Sequence, residues 1–299
     1  MHKKHLFLIT FILLVITLPS VKASEDCGLT NLATCLPQKA VEFVIGIFNA
    51  PVESLLGDIQ DLLTEPVNIE QFKGLWQIMI YILSIFYGLF LLFAGYQFIV
   101  SGHDVIKRET AKEWLKNIIF MIIFVQASYI LYGVLLEIGA SLSAGVINLI
   151  DPEFFLLTAD SISSVGLQFI FSSIYILTLT NTLVFLFLRY FLVSFGIVLF
   201  PIGLFLYFVP PLKSYGKMVI EGTFILILLP FIQSLILLIG SKLIGLPIVS
   251  NLKILVMISS FTLLNLAMIF LVLFAGIKAV SYVGDLGGSI GKAVKYIAG

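Results

Sequence analysis

Charge is what this sequence lacks most. Asp, Glu, Lys and Arg make up 11% of its 299 residues, while apolar residues make up 60%; an ordinary soluble domain carries roughly 25% charged residues. That deficit, with so many apolar residues, excludes an ordinary soluble domain. Histidine is scarce as well. Of three in all, His2 and His5 stand at the start and only His103 lies in the body, so one chain cannot assemble a histidine-based zinc centre. The two cysteines, Cys27 and Cys35, do not make a metal site alone, and their number excludes a disulfide-rich scaffold. Net charge is zero, a sum that hides segregation of the charges by loop.

Motifs for enzyme chemistry are also missing. The Gly-rich tail GDLGGSIGKAVKYIAG invites a phosphate-loop reading, but Leu286 stands where the first glycine is required, and Ala293 follows Lys292 in place of Ser or Thr. Val283-Gly284-Asp285 lacks the earlier glycine and the second membrane aspartate of an intramembrane aspartyl protease, and the sequence has no His-Glu-x-x-His or Gly-x-Ser-x-Gly. We therefore expect no enzyme activity and no cofactor.

What the sequence has is long apolar runs, and the stretch that orients them is Ser101 to Asn117, SGHDVIKRETAKEWLKN. It carries Lys107, Arg108, Lys112 and Lys116 between the runs Leu75 to Val100 and Ile118 to Ile150. Basic residues in short loops stay on the cytoplasmic face, so the loop is expected there, with the flanking runs crossing the bilayer in opposite directions. Ser101 and Asp104 have capping-box-like spacing, and Ile106, Trp114, Leu115 and Ile118 can share a face, so the loop can form a short helix.

Met1 to Ala23 reads as a signal peptide. His2, Lys3, Lys4 and His5 supply the basic region, Leu6 to Leu18 the apolar core, and Val21-Lys22-Ala23 the cleavage site; an uncleaved anchor is the alternative. Either way the following residues are outside, where Cys27 and Cys35 suit a small disulfide loop. Residues 24–73 form an extracytoplasmic segment. Within it Val52, Leu55, Leu56, Ile59, Leu62 and Leu63 follow helical spacing, with Glu53, Asp58 and Asp61 between them and Pro51 suited to a first turn. An acidic polar face favours packing on protein over anionic lipid.

Residues 74–299 form the membrane domain. Leu75 to Val100 exceeds the ~20 residues needed to cross. The second span carries Gln126, Ser128, Tyr129 and Glu137, and Asp151 to Asp160 is an acidic external loop. Ser161 to Val209 bears one charge, Arg189, and as a straight helix would reach roughly 73 Å. A single simple span is excluded on that length, which leaves either two crossings or one crossing with a re-entrant or surface part, Pro201 marking a kink. Thr223 to Gly240, with a kink expected at Pro230, and Ile254 to Ile277, with a polar stripe of Ser259, Ser260, Thr262 and Asn265, complete the set.

One net crossing for 161–209 puts Lys213, Lys217, Lys278, Lys292 and Lys295 inside with the four loop bases, against Lys242 and Lys253 outside. This favours five spans over six, an external N-terminus and a cytoplasmic tail at 278–299. The expectation is an all-α polytopic membrane protein with an added external amphipathic helix. Glu137 and Arg189 can relieve each other's desolvation as an intramembrane pair, the alternative being that Arg189 snorkels to an interface.

The segment RYFLVSFGIVLFPIGLFLYFVPPLKSYGK, with Arg189, Pro201, Gly203, Pro210-Pro211-Lys213 and Gly216-Lys217, resembles the core of TrbL-type (VirB-six-like) channel subunits of type IV secretion and conjugation machines. It also looks like the related membrane protein of crenarchaeal DNA import. Leu91 to Phe124 resembles the helix-loop-helix of type IV secretion pilins, which are much shorter. A large soluble domain or long central loop is lacking. The resemblance implies a channel or scaffold subunit in the cytoplasmic membrane that moves DNA or protein as cargo. Its implied partners are a pilin, a separate cytoplasmic ATPase docked on Lys107, Arg108, Lys112 and Lys116, and further copies of itself. A small-solute or ion transporter, with Pro201, Pro230 and Asn181 as weak midplane candidates, and a membrane assembly factor are the other classes.

Overall fold

The computed structural model describes residues 32–102, 105–157, 165–246 and 252–274. The signal peptide, Cys27, His103, Asp104 and the tail at 278–299 lie outside the described residues, as does the side chain of Cys35. Among the described residues there is no strand. Among the described residues there are six α-helices: α1 Leu32–Thr64, α2 Lys73–Val100, α3 Val105–Ile147, α4 Val165–Phe208, α5 Lys213–Ile244 and α6 Lys253–Phe274. Short 3-10 turns at Glu70–Phe72, Pro152–Phe155 and Pro210–Leu212 join some of them. The last five helices are long and apolar enough to cross a membrane. The chain is an all-α polytopic membrane protein.

Two expected boundaries are corrected. The 101–117 stretch is not a separate loop or a short helix: α3 begins at Val105 and continues without a break into the span expected from Ile118. Nothing in VIKRETAKEWLKN breaks a helix, since it lacks glycine and proline and its charged side chains are helix-compatible. Likewise residues 165–208 are not divided. α4 runs 44 residues with Pro201 inside it, about 66 Å at 1.5 Å per residue. Bilayer thickness bounds how much helix the membrane covers, and places no limit on where the helix ends. Pro201 costs one N–H bond, to the carbonyl four residues back, and the helix absorbs it; Pro230 sits the same way inside α5. Pro51 also lies mid-helix, in α1, and not at a start.

The chain divides into two compact units. The first comprises 1–61, 148–184 and 236–264. Here Val52, Leu56 and Ile59 of α1 are buried while Glu53 and Asp58 are exposed, as the helical spacing requires. The Asn49 side chain reads both backbone groups of Leu157: its Nδ2 donates to the carbonyl at 3.1 Å, and its Oδ1 accepts from the N–H at 3.1 Å. Tyr175 of α4 donates its hydroxyl to the Phe155 carbonyl at 3.1 Å. Its ring meets Phe261 of α6, which also meets Phe155, so one aromatic cluster closes this unit. Gly240 faces the Ser260 side chain so closely that a Cβ would collide with it, the small-residue contact typical of membrane helices.

The second unit comprises 62–147, 185–235 and 265–299. α2 and α3 form an antiparallel hairpin: Trp76 packs on Tyr129 near one end, and Phe93 on Trp114 near the other. Trp76 also donates its indole N–H to the Ser128 hydroxyl at 2.9 Å. The second half of α4 packs antiparallel to α3 through Phe124–Phe208 and Tyr132–Phe200. The core between them holds Leu83, Met121, Val125, Tyr132, Ile197 and Phe200.

Candidate functional site

Arg189 is the buried charge of the second unit, 4% exposed in the middle of α4. Its Nη2 donates to the Leu62 carbonyl at 3.0 Å. Leu62 lies in the last turn of α1, whose final carbonyls have no helical N–H to accept from, so a cation there satisfies an orphan acceptor and the negative end of the helix dipole. The expected Glu137–Arg189 pair is not formed. Glu137 is exposed on α3, and among the described residues no ion pair involves either side chain. α1 ends against Arg189 and supplies the acceptor that a carboxylate was expected to supply.

The Arg189 Nε is buried and has no hydrogen-bond partner among the described residues. Beside the guanidinium is a cavity of about 20 Å³ lined by Leu63, Glu65, Leu136, Ile227 and Pro230. Space of that size holds about one water molecule, so the side chains around Arg189 are closely packed. Tight contacts surround it. Tyr132 donates its hydroxyl to the Val193 carbonyl, one turn along α4. Gly196 faces that hydroxyl with no room for a Cβ, and a Cβ on Gly139 would stand 2.9 Å from the Ile227 carbonyl.

The second feature is the charged end of the α2–α3 hairpin. Lys107, Arg108, Lys112 and Lys116 are all exposed. At 100° per residue Arg108, Lys112 and Lys116 follow one another along one face. Ala111 and Ile118 are buried on another face. Ile106 is not part of that buried face but 80% exposed, because the Phe93–Trp114 register carries the first turn of α3 past the last residue of α2. Lys112 pairs with Glu109 at 2.6 Å, both exposed, and such a pair contributes about 0.5 kcal/mol or less.

Several expected polar features separate. Ser260 and Asn265 are buried while Ser259 and Thr262 are exposed, so α6 has no single polar stripe. Asn181 is exposed. Among the described residues no group of three His, Cys, Asp or Glu is placed to hold a metal. Sequence reasoning missed Asn49, Tyr132, Gly196 and Gln233. Gln233 is fully buried, and neither amide atom has a partner among the described residues. The available signal was a glycine or polar residue isolated in an apolar helix, which usually marks a helix-helix contact. Compared with protein-family models, curated proteins and solved structures, the chain matches none.

Proposed function

We propose that this chain is a non-enzymatic channel or scaffold subunit of a type IV secretion-like complex of the TrbL type, set in the cytoplasmic membrane and moving DNA or protein as cargo. The mature N-terminus is outside and the tail is cytoplasmic. Energy comes from a separate ATPase, which docks on Lys107, Arg108, Lys112 and Lys116; pilin subunits and further copies of the chain surround it.

The observation that carries this reading is the unbroken helix α3, whose first turns, bearing all four bases, extend an apolar span without a change of element. A rigid, exposed basic rod continuous with a membrane helix suits a docking element better than a mobile loop, because little order has to be gained on binding. Polar and glycine contacts within the bundle suit fixed packing in an assembly. The solute-transporter reading draws less support, since the space beside Arg189 holds about one water and Asn181 is exposed.

The test is affinity purification of the full chain from its native membrane, with the co-purifying proteins identified. Recovery of a secretion-type ATPase and a pilin, with at least a severalfold loss of the ATPase when Arg108 and Lys112 are changed to Gln, is the expected result. Recovery of neither protein would reject the secretion reading. Unchanged ATPase recovery in the double variant would reduce the four bases to a signal for membrane orientation.

A further inference from the structure

Where α4 turns into α5 a recess of about 610 Å³ opens in the second unit. Its wall is apolar, made by Phe124 of α3, Leu204 and Phe208 of α4, and Ile220 of α5; its rim carries Tyr207, Lys213, Lys217 and Glu221. Close backbone packing builds it. A Cβ on Gly203 would stand 2.8 Å from the Val219 side chain, and one on Gly216 would fall on the Tyr207 backbone, so two glycines let α4 and α5 cross at the turn. The following residues, Lys213 and Lys217, lie one helical turn apart and hold two ammonium groups over the same opening.

These cations are unequally compensated. Lys217 stands 3.5 Å from Glu221, and both are exposed. Lys213 lies 5.4 Å over the Tyr207 ring, and no carboxylate pairs with it among the described residues. The recess is also set back from the hairpin tip. Phe205 meets Phe86 and Phe90, so residues 91–100 of α2, about 15 Å of helix, continue past that level. Beside the opening, Phe120 and Ile123 of α3 are exposed, an apolar flank of the kind that lipid chains cover.

We propose that this recess binds the headgroup phosphate of an anionic phospholipid, with Lys213 and Lys217 on the phosphate and the acyl chains along Phe120, Ile123 and Phe124. A cationic rim above an apolar wall, on helices that cross the bilayer, matches an amphiphile with one negative charge. Zwitterionic lipid has the same phosphate but brings its own cation toward the lysines, so it binds more weakly. Basic pockets between membrane helices act on headgroups in this way. Glu221 limits the site by engaging Lys217.

The experiment uses the full chain in nanodiscs of equimolar phosphatidylglycerol and phosphatidylcholine, with retained lipids counted by native mass spectrometry after release. Phosphatidylglycerol is enriched on the wild type. Lys213→Gln with Lys217→Gln lowers the enrichment, by about fivefold for each lysine if both act fully, whereas Glu221→Gln raises it. Lys107→Gln with Arg108→Gln, a loss of the same charge at the far tip of the hairpin, leaves it unchanged. No enrichment on the wild type, or equal losses in the two double variants, would overturn the proposal. If the Lys213/Lys217 variant does not fold, Glu221→Gln decides: unchanged or lower enrichment there would overturn it too.

Discussion

Removing a guanidinium from water costs several kcal/mol unless its donors find acceptors, and Arg189 finds one at the end of α1 and not at Glu137. That assignment is testable in a double-mutant cycle read by thermal unfolding in detergent. Glu137→Gln should change stability by less than about 0.5 kcal/mol, as exposed substitutions do. Arg189→Ala should cost about 2 to 4 kcal/mol through lost packing and an orphaned carbonyl. The coupling between them should be near zero; coupling above about 1 kcal/mol would restore the ion pair. Three residues beyond Val193, Gly196 makes with Tyr132 a contact of a different kind, set by space alone. Gly196→Ala should cost about 1 to 3 kcal/mol by overpacking, and Tyr132→Phe added to it should recover part of that loss by removing the hydroxyl that the new methyl meets. A double variant less stable than Gly196→Ala alone would contradict the contact.

At the scale of elements, hydrophobic length and periodicity made much of the fold legible. The spans near 75–100 and 223–240, the described part of 254–277 up to Phe274, and the buried face at Val52, Leu56 and Ile59 follow from them directly. Boundaries were less legible, for a physical reason. Charge tells where a helix leaves the apolar phase but not where it stops being helical, so α3 begins thirteen residues before its apolar run, at Val105 and not at Ile118, and α5 begins at Lys213, ahead of Thr223. The node around Arg189 was half legible: the charge was visible, but its partner is a backbone carbonyl, and backbone carries no sequence signal. The α4–α5 turn gives the sharpest element-scale prediction. A Cβ on Gly216 meets the Tyr207 main chain, which cannot rotate away as a side chain can. Gly216→Ala should therefore abolish a monodisperse peak in size-exclusion chromatography, and a variant that elutes and melts like the wild type would contradict the close crossing.

For the whole molecule, the described residues hold five helices able to cross a membrane and an α1 that buries an apolar face. Under the proposed topology of five crossings the two ends lie on opposite sides, and the four exposed bases of α3 would put the hairpin tip in the cytoplasm. The same topology would place Lys213 and Lys217 in the cytoplasmic half, so the proposed ATPase docking depends on it, whereas the lipid recess is tested independently of sidedness. The most direct measurement is a pair of reporters fused after Gly299, green fluorescent protein and alkaline phosphatase, each expressed from the full chain. A cytoplasmic C-terminus predicts bright fluorescence with little phosphatase activity; active phosphatase with dark fluorescent protein would contradict five spans with an external N-terminus.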